Sequence, residues 1–284
     1  MKFSIITVSF NSEKTIEETI LSVINQNYNN FEYILVDGGS NDKTLEIVNK
    51  YKKYFSKIIS EKDEGVYDAI NKGIKLSTGD IISIIHSDDM FISNEILSKI
   101  NNIFKKNLKT KILVGNTLIF KSKKDKKKII RNYKSKSFFN WMMYFGYSPP
   151  HPSSFIKKEV YSNSGLYNKK FKIAGDFEFF LRIFLKKKQE YKTLNFCVAR
   201  MRTGGVSGKN IYSHFISSNE IIQSFRKNSL RNSVITIYLR FFTKIHQLFL
   251  FNEKKLNKEF NFQLNPHYEK QIKFDFKIIK SLKN

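Results

Sequence analysis

Four acidic clusters fall at or just beyond short apolar runs: Asp37 with Asp42, Asp63 with Glu64, Asp88 with Asp89, and Asp176 with Glu178. Gathered carboxylates repel one another, which raises their pKa values and costs stability unless a cation intervenes. A hard divalent ion carrying a diphosphate suits such a cluster, because Mg²⁺ and Mn²⁺ prefer carboxylate and phosphate oxygens and leave positions open for a substrate. Aspartate after a strand is also a favoured turn or helix N-cap residue. Asp42, next to Asn41, is read in that structural way, and Asp176 at the start of a helix has the same alternative.

The surrounding pattern must bring these residues together. Residues 3–9 are a β-branched and aromatic run, and Ser12–Gln26 repeats Ile16, Ile20, Val23 and Ile24 at helical spacing. Strand and helix then alternate: Phe31–Val36 and Asp42–Phe55, Lys57–Ser60 and Val66–Leu76, Asp80–Ile85 and Asn94–Phe104. Such alternation predicts a parallel sheet with helices on both faces, and ligands then bind beyond the carboxyl ends of the strands. The first three clusters converge on that rim. Ile112–Phe120 and Ile129–Tyr133 read as strands joined by a solvated loop, Lys121–Lys128, while Pro149, Pro150 and Pro152 force an extended segment around His151. Phe177–Leu185 reads as a helix, and a domain boundary is expected near Gly204–Gly208.

Composition narrows the classes. A chain of 284 residues with 41% hydrophobic residues has material for one main domain and a tail. The net charge of +25 attracts polyanions or anionic surfaces. Cys197 is the only cysteine, which excludes an internal disulfide and a cysteine zinc site and suits a reducing, cytoplasmic compartment. The N-terminus is too short in apolar residues for a signal-peptide core, and Val234–Phe251 is interrupted by Arg240, Lys244 and His246, so no spanning helix is expected.

Several motifs occur in a fixed order: Thr7-Val8-Ser9-Phe10-Asn11, Val36-Asp37-Gly38-Gly39-Ser40, Asp63-Glu64-Gly65-Val66-Tyr67-Asp68-Ala69-Ile70-Asn71-Lys72-Gly73, Thr78-Gly79-Asp80 and His86-Ser87-Asp88-Asp89. Together they resemble the family 2 glycosyltransferases, and Pro150-His151-Pro152, Ala174-Gly175-Asp176-Phe177-Glu178 and Gly204-Gly205 resemble the acceptor half of the same enzymes. The resemblance implies a GT-A fold: an α/β, Rossmann-like, mostly parallel sheet flanked by helices. It divides the chain into a catalytic domain, 1–208, with a nucleotide-sugar half of about 1–110 and an acceptor half of about 111–208, and a helical, basic and aromatic extension, 209–284.

The resemblance further implies inverting transfer from a nucleotide-diphosphate sugar, commonly a UDP-sugar. Thr7, Ser9, Asn11, Asp37, Asp63, Tyr67 and Asp88 would line the donor site, with Asp37 on the base and Asp88 near the ribose. Asp89 would ligate Mn²⁺ or Mg²⁺. Asp176 would be the general base, Glu178 a reserve, and His151 and Arg202 candidates for the acceptor or diphosphate loop. Gly175 stands where many members carry Glu. The expected acceptor is a saccharide or lipid-linked saccharide of bacterial surface-polysaccharide, lipopolysaccharide or capsule assembly. The aromatic and basic tail either packs on the catalytic domain or lies on anionic lipid, and the second is preferred, at the cytoplasmic face of the inner membrane. Two other classes stay open. A pI of about 9.8 fits a nucleic-acid-binding protein, although no recognised binding signature is present and no nucleic-acid partner is expected. A sugar nucleotidyltransferase would share the architecture, but Ser9-Phe10-Asn11-Ser12-Glu13 is not a Gly-rich phosphate loop.

Overall fold

The computed structural model describes residues 1–123, 126–135, 138–204 and 211–238. Its first half is the alternating unit predicted from periodicity. Strands β1 (Phe3–Ser9), β2 (Phe31–Asp37), β3 (Lys57–Ser60) and β4 (Ile81–Ile84) lie in the order β3-β2-β1-β4, all parallel. Helices α1 (Ile16–Ile24), α2 (Thr44–Lys50) and α3 (Val66–Leu76) connect them. Side chains alternate across each strand. Phe3, Ile5, Tyr33 and Leu35 face α1, α2 and α4 (Ile96–Lys106), whereas Ile6, Val8, Ile34 and Val36 face α3 and the helices of the second half.

The second half is mostly antiparallel. It comprises β5 (Asp89–Phe91), β6 (Ile112–Lys123), β7 (Lys126–Tyr133), β8 (Ser154–Lys157) and β9 (Tyr191–Arg202), with α5 (Lys158–Ser164), α6 (Gly175–Leu181) and α7 (Ile211–Lys227). The path of paired strands runs β4-β8-β6-β9-β5, with β7 beside β6. In a flat sheet β4 and β5 would stand about 19 Å apart, four inter-strand spacings. In sequence, however, they are joined by residues 85–88 alone, and that link is folded into a turn by the Asp89 N–H donating to the His86 carbonyl at 2.9 Å. The sheet therefore curls until its far edge returns to β4. The Asp88-Asp89 pair stands at that seam.

Three expectations need correction. The Lys121–Lys128 stretch is not all loop: β6 extends to Lys123 and β7 starts at Lys126, pairing Lys121 with Lys128, Ser122 with Lys127 and Lys123 with Lys126. Ladder bonds are made by the backbone, so a charged run does not end a strand by itself. The segment around His151 is a 3-10 turn, His151–Ser153, rather than extended, since proline's fixed φ and missing N–H are tolerated in a first helical turn. The helix expected over Asp42–Phe55 is α2 followed by a separate 3-10 turn, Lys52–Tyr54. Beyond the expected boundary, α7 contributes Ile221 and Phe225 to the same apolar cluster as Phe177, Phe179 and Phe180 of α6. Residues 239–284, the remainder of the expected extension, lie outside the described residues.

A buried carboxylate fastens the end of the sheet opposite the acidic rim. Glu32 accepts from Ser4 Oγ at 2.5 Å, Thr78 N at 2.5 Å and Thr78 Oγ1 at 2.7 Å, and Lys2 Nζ is 3.3 Å away. Burial by itself would raise its pKa, but the bonds from Ser4, Thr78 and Lys2 prevail and hold it at about 2. Because the folded value lies below the usual carboxylate range, this contribution is complete above pH 4–5 and is lost as pH falls toward 2. Glu32→Gln should lower unfolding free energy by about 1–3 kcal/mol at pH 7, the usual cost of leaving buried donors unpaired. Urea titrations should show the gap from the unsubstituted protein closing between pH 5 and pH 2.

Candidate active site

The rim above β1, β2 and β3 is organised around Asp37, which is fully buried. Its carboxylate accepts from Ser9 Oγ at 2.9 Å, Ser40 Oγ at 2.5 Å, Ser60 Oγ at 2.8 Å, and the N–H groups of Gly39 and Ser40 at 3.1 and 2.8 Å. Asp63 overlies the same turn: a Cβ on Gly38 would come within 2.5 Å of Asp63 Oδ2, so glycine permits the approach. Asn11 bridges the first two loops, its N–H donating to Ser40 Oγ at 2.8 Å and its Oδ1 accepting from Asn41 N at 3.0 Å. Thr7 stands apart, buried with its hydroxyl 3.0 Å from that of Tyr33 inside the core. Asp42 accepts from Thr44 and from Glu13 N, the structural role expected of it.

The acidic pair is different in kind. Asp88 is half-buried, whereas Asp89, the first residue of β5, is 2% exposed. The Asp89 Oδ1 is buried without a hydrogen-bond partner among the described residues. Burial pushes this carboxyl well above the usual range, with the Asp88 charge adding and Arg202 opposing. Arg202 is held at the seam by Glu18 of α1 at 3.0 Å and by the ring of Phe120 at 5.0 Å. Thr19, also on α1, donates to the Asp89 carbonyl at 2.7 Å, and Ser12 Oγ meets Ser87 Oγ at 2.7 Å. A buried carboxylate oxygen lacking a donor is chemically suited to accept a hard cation. Among the described residues no group of three or more metal-binding side chains occurs. One or two carboxylates completed by substrate phosphates and water is the usual arrangement for Mg²⁺, and the pair fits it.

Behind the pair lie two histidines. The His86 and His151 rings are 5.5 Å apart, and His151 Nε2 is 2.8 Å from the Tyr167 hydroxyl. Burial, reinforced by His86, lowers the His151 pKa to about 3, and burial also lowers that of His86 against the pull of Asp88. Both are neutral near pH 7. His151 is thus a packed turn residue, set against Phe180 as well.

Asp176 lies in the first turn of α6, partly exposed, with Oδ1 accepting from Phe177 N at 2.7 Å. Tyr67 of α3 passes behind it. Its hydroxyl donates to the Ile173 carbonyl at 2.7 Å and lies 3.5 Å from Asp176 Oδ1, so Tyr67 stands beside Asp176. A Cβ on Gly175 would meet the Tyr67 ring at 2.7 Å, which accounts for glycine there. Burial raises the Asp176 carboxyl to about 6, with Glu220 adding, against the Phe177 N–H and the Tyr67 hydroxyl. Glu178 is otherwise engaged: it accepts from Arg182 Nη2 at 3.0 Å and Nε at 3.2 Å, and from Asn228 Nδ2 at 3.0 Å.

The family model described as Glycosyl transferase family 2 matches residues 4–171. The chain belongs to glycosyl transferase family 2. Its fold is GT-A, and its activity class is glycosyl transfer, which sets aside the nucleic-acid and nucleotidyltransferase alternatives. A PGL/p-HBAD biosynthesis glycosyltransferase of Mycobacterium bovis is 25% identical over 219 residues, 75% of this chain and 82% of that protein. An uncharacterized glycosyltransferase of Haemophilus influenzae is 38% identical over 107 residues, 37% of this chain and 42% of that one. Among solved structures, S. aureus TarS 1–349 in complex with UDP-GlcNAc superposes with a TM-score of 0.63 at 20% identity, covering 79% of this chain and 66% of that one. The chain spans 40% of the longer TarS chain. The mannosyltransferase PcManGT of Pyrobaculum calidifontis, in complex with GDP-Man and Mn²⁺, gives 0.58 at 16% identity, covering 80% and 63%.

Sequence reading missed the supports: Glu18 and Thr19 on α1, and Glu220 and Asn228 at and beyond α7. The available signal was a polar residue on the core-facing stripe of an otherwise amphipathic helix. The two acidic residues of α6 should separate on substitution. Glu178→Gln breaks a buried ion pair and should cost roughly 3 kcal/mol in urea unfolding. Asp176→Asn should cost little or stabilise at pH 7, since a carboxyl raised to about 6 destabilises the folded state once ionised, and that difference should vanish below about pH 4.

Proposed function

We propose that this enzyme transfers a sugar, with inversion, from a nucleotide-diphosphate sugar, most simply a UDP-sugar, to a saccharide or lipid-linked saccharide acceptor in cell-surface polysaccharide assembly. The observation that carries the donor half is the unpartnered buried oxygen of Asp89. Asp89, with Asp88 beside it, would hold Mn²⁺ or Mg²⁺. The ion's contribution when bound is to neutralise charge on the departing diphosphate, Lewis-acid help worth several kcal/mol in general. TarS with UDP-GlcNAc and PcManGT with GDP-Man and Mn²⁺ support a nucleotide-sugar donor and a metal by analogy. Asp37, Ser9, Asn11 and Asp63 form the nucleoside end, Arg202 is charged and close to the acidic pair, and Tyr67 and His151 act from behind the lining.

Asp176 supplies the base. As the acceptor oxygen bonds to the anomeric carbon, the Asp176 carboxylate takes the hydroxyl proton and the carbon–oxygen bond to the diphosphate breaks, its electron pair leaving with the nucleoside diphosphate. A carboxyl near 6 is ionised at neutral pH and still a stronger base than an ordinary aspartate. The name of the mycobacterial relative, a PGL/p-HBAD biosynthesis glycosyltransferase, supports a biosynthetic direction for the transfer.

For the membrane, no helix among the described residues is long and apolar enough to cross a bilayer. Contact with an anionic surface is supported by the net charge of +25 and by exposed Phe139, Trp141 and Phe145 on one 3-10 segment.

Two experiments test these readings. Mn²⁺ should raise the melting temperature of the protein in the presence of UDP and stimulate UDP release from a UDP-sugar, and Asp89→Asn should lose both, with release down about a hundredfold. In the same assay, kcat should rise with pH through about 6 as Asp176 ionises among its neighbours Tyr67, Tyr133, Tyr167 and Glu220. A flat profile, or full activity in Asp89→Asn, would sink the corresponding role. Separately, the protein should co-sediment with phosphatidylglycerol vesicles and not with phosphatidylcholine ones, and Trp141→Ser with Phe145→Ser should weaken that binding; equal binding to both lipids contradicts it.

A further inference from the structure

The backbone that presents Asp176 is held from a part of the chain outside the family match. Glu220, in the middle of α7, is 8% exposed. Its Oε1 accepts from Lys172 N at 2.7 Å, and its Oε2 from Ile173 N at 2.9 Å and Ala174 N at 2.7 Å. Three successive main-chain donors thus converge on one carboxylate, a concave anion site built from backbone N–H groups, here filled from within the protein. Ala174 is the residue that caps α6, and Asp176 follows two positions later.

The same peptide segment is gripped from its other side. Ile173 gives its N–H to Glu220 and receives the Tyr67 hydroxyl at its carbonyl. Upstream, Asn71 exchanges two bonds with the Tyr167 backbone, at 2.8 and 2.9 Å. Arg182 donates to the carbonyls of Ser164, Gly165 and Leu166. Residues 164–174 are therefore fixed at both ends, and the end next to Asp176 is fixed by α7. No apolar contact does this work. Aligning three N–H vectors on one carboxylate specifies a backbone position, whereas the packing of Ile221 and Phe225 specifies only that α7 lies against α6.

We propose that Glu220 is a positioning residue for the transfer reaction, its carboxylate setting the turn from which the base Asp176 projects. The proposal rests on the reading of Asp176 as the base. Glu220 touches no reacting atom; it acts through the geometry of residues 172–174. Small displacements of a catalytic group cost up to about a hundredfold in rate.

The test compares Glu220→Gln, Glu220→Asp, Asn228→Ala and Asp176→Asn in the full chain, with UDP release from UDP-GlcNAc in Mn²⁺ as the assay and UDP-induced thermal shift as the check on folding. Asn228 lies just beyond α7 and bonds to Glu178, not to the base turn, so its variant reports loss of packing alone. Glu220→Gln replaces one carboxylate oxygen by an NH2 group, which leaves at least one of the three N–H donors facing another donor. It should lower kcat about ten- to a hundredfold, leave KM for the donor within about twofold, keep the UDP shift, and move the acidic limb of the kcat profile to lower pH. In the Asp176→Asn background it should cost nothing further. If Glu220→Gln does not fold, Glu220→Asp decides: it retains the charge with a shorter reach, and kcat should fall while the acidic limb stays near pH 6. Unaltered kcat in a folded Glu220 variant, or a loss matched by Asn228→Ala with no change in the pH profile, overturns the positioning role. Full turnover by Asp176→Asn overturns the base assignment beneath it, whereas an inactive Asp176→Asn beside a fully active Glu220→Gln overturns the positioning role alone.

Discussion

Asp89 is a carboxylate placed where the sheet closes on itself. The link of residues 85–88 is too short and too folded to span an open sheet, so β5 and β9 must return to the carboxyl end of β4, and Asp89 is buried in the seam they form. A charge in such a place is disfavoured by desolvation, and the nearby Asp88 makes this worse. The fold opposes that cost without removing it: Arg202 brings a positive charge, Glu18 and Phe120 keep Arg202 in place, and one carboxylate oxygen has no donor among the described residues. An apolar residue at 89 would make a more stable seam. Retaining a carboxylate there is a stability cost of the kind that functional sites carry.

The contrast with Asp37 sharpens the point. Both residues end or begin strands on one rim, and both are buried, but Asp37 has five donors and Asp89 has an oxygen with none. Asp37 is fully satisfied by the chain and organises three loops into one surface. Asp89 keeps one buried oxygen, Oδ1, without a donor among the described residues. Two aspartates that read alike in the sequence therefore do different work, and the difference lies in the hydrogen-bond inventory.

That contrast also explains what was legible in the sequence. Periodicity locates β1 to β4 and the helices α1 to α4 between and after them because each βα unit is local and its apolar faces repeat regularly, whereas β5, three residues long, carries no such pattern. The acidic motifs were visible because they sit at the strand ends of that regular half. Strands β8 and β9 and helix α5 were not marked: β8 is four residues long and β9 pairs with strands distant in sequence on both sides, so neither carries a strong local pattern. The charged run in β6 and β7 was read as loop since polarity was allowed to outweigh backbone pairing. For the site, residue types pointed to Asp89 and Asp176 but could not show that Thr7 turns into the core toward Tyr33, or that Glu178 is consumed by Arg182 and Asn228. Orientation and partners are long-range facts.

The same reasoning bears on where the catalytic unit ends. The family match stops at residue 171, five positions before Asp176, so a boundary drawn by similarity would leave Asp176, Arg202 and α7 outside. Physically they cannot be separated from the rest. Arg202 pairs with Glu18 across 184 positions of sequence, Tyr67 reaches the Ile173 carbonyl across 106, and Glu220 reaches Ala174 across 46. The first two bonds join the regular half to the second half, the third joins α7 to the turn before α6, and α6, with seven residues, is too short to be stable without such anchors. The regular half therefore supplies a rigid rim, and the irregular half is positioned on it by a few buried polar contacts. An irregular half held in that way tolerates wide change in its surface residues as long as those contacts persist, which is a physical route by which one rigid scaffold carries varied function.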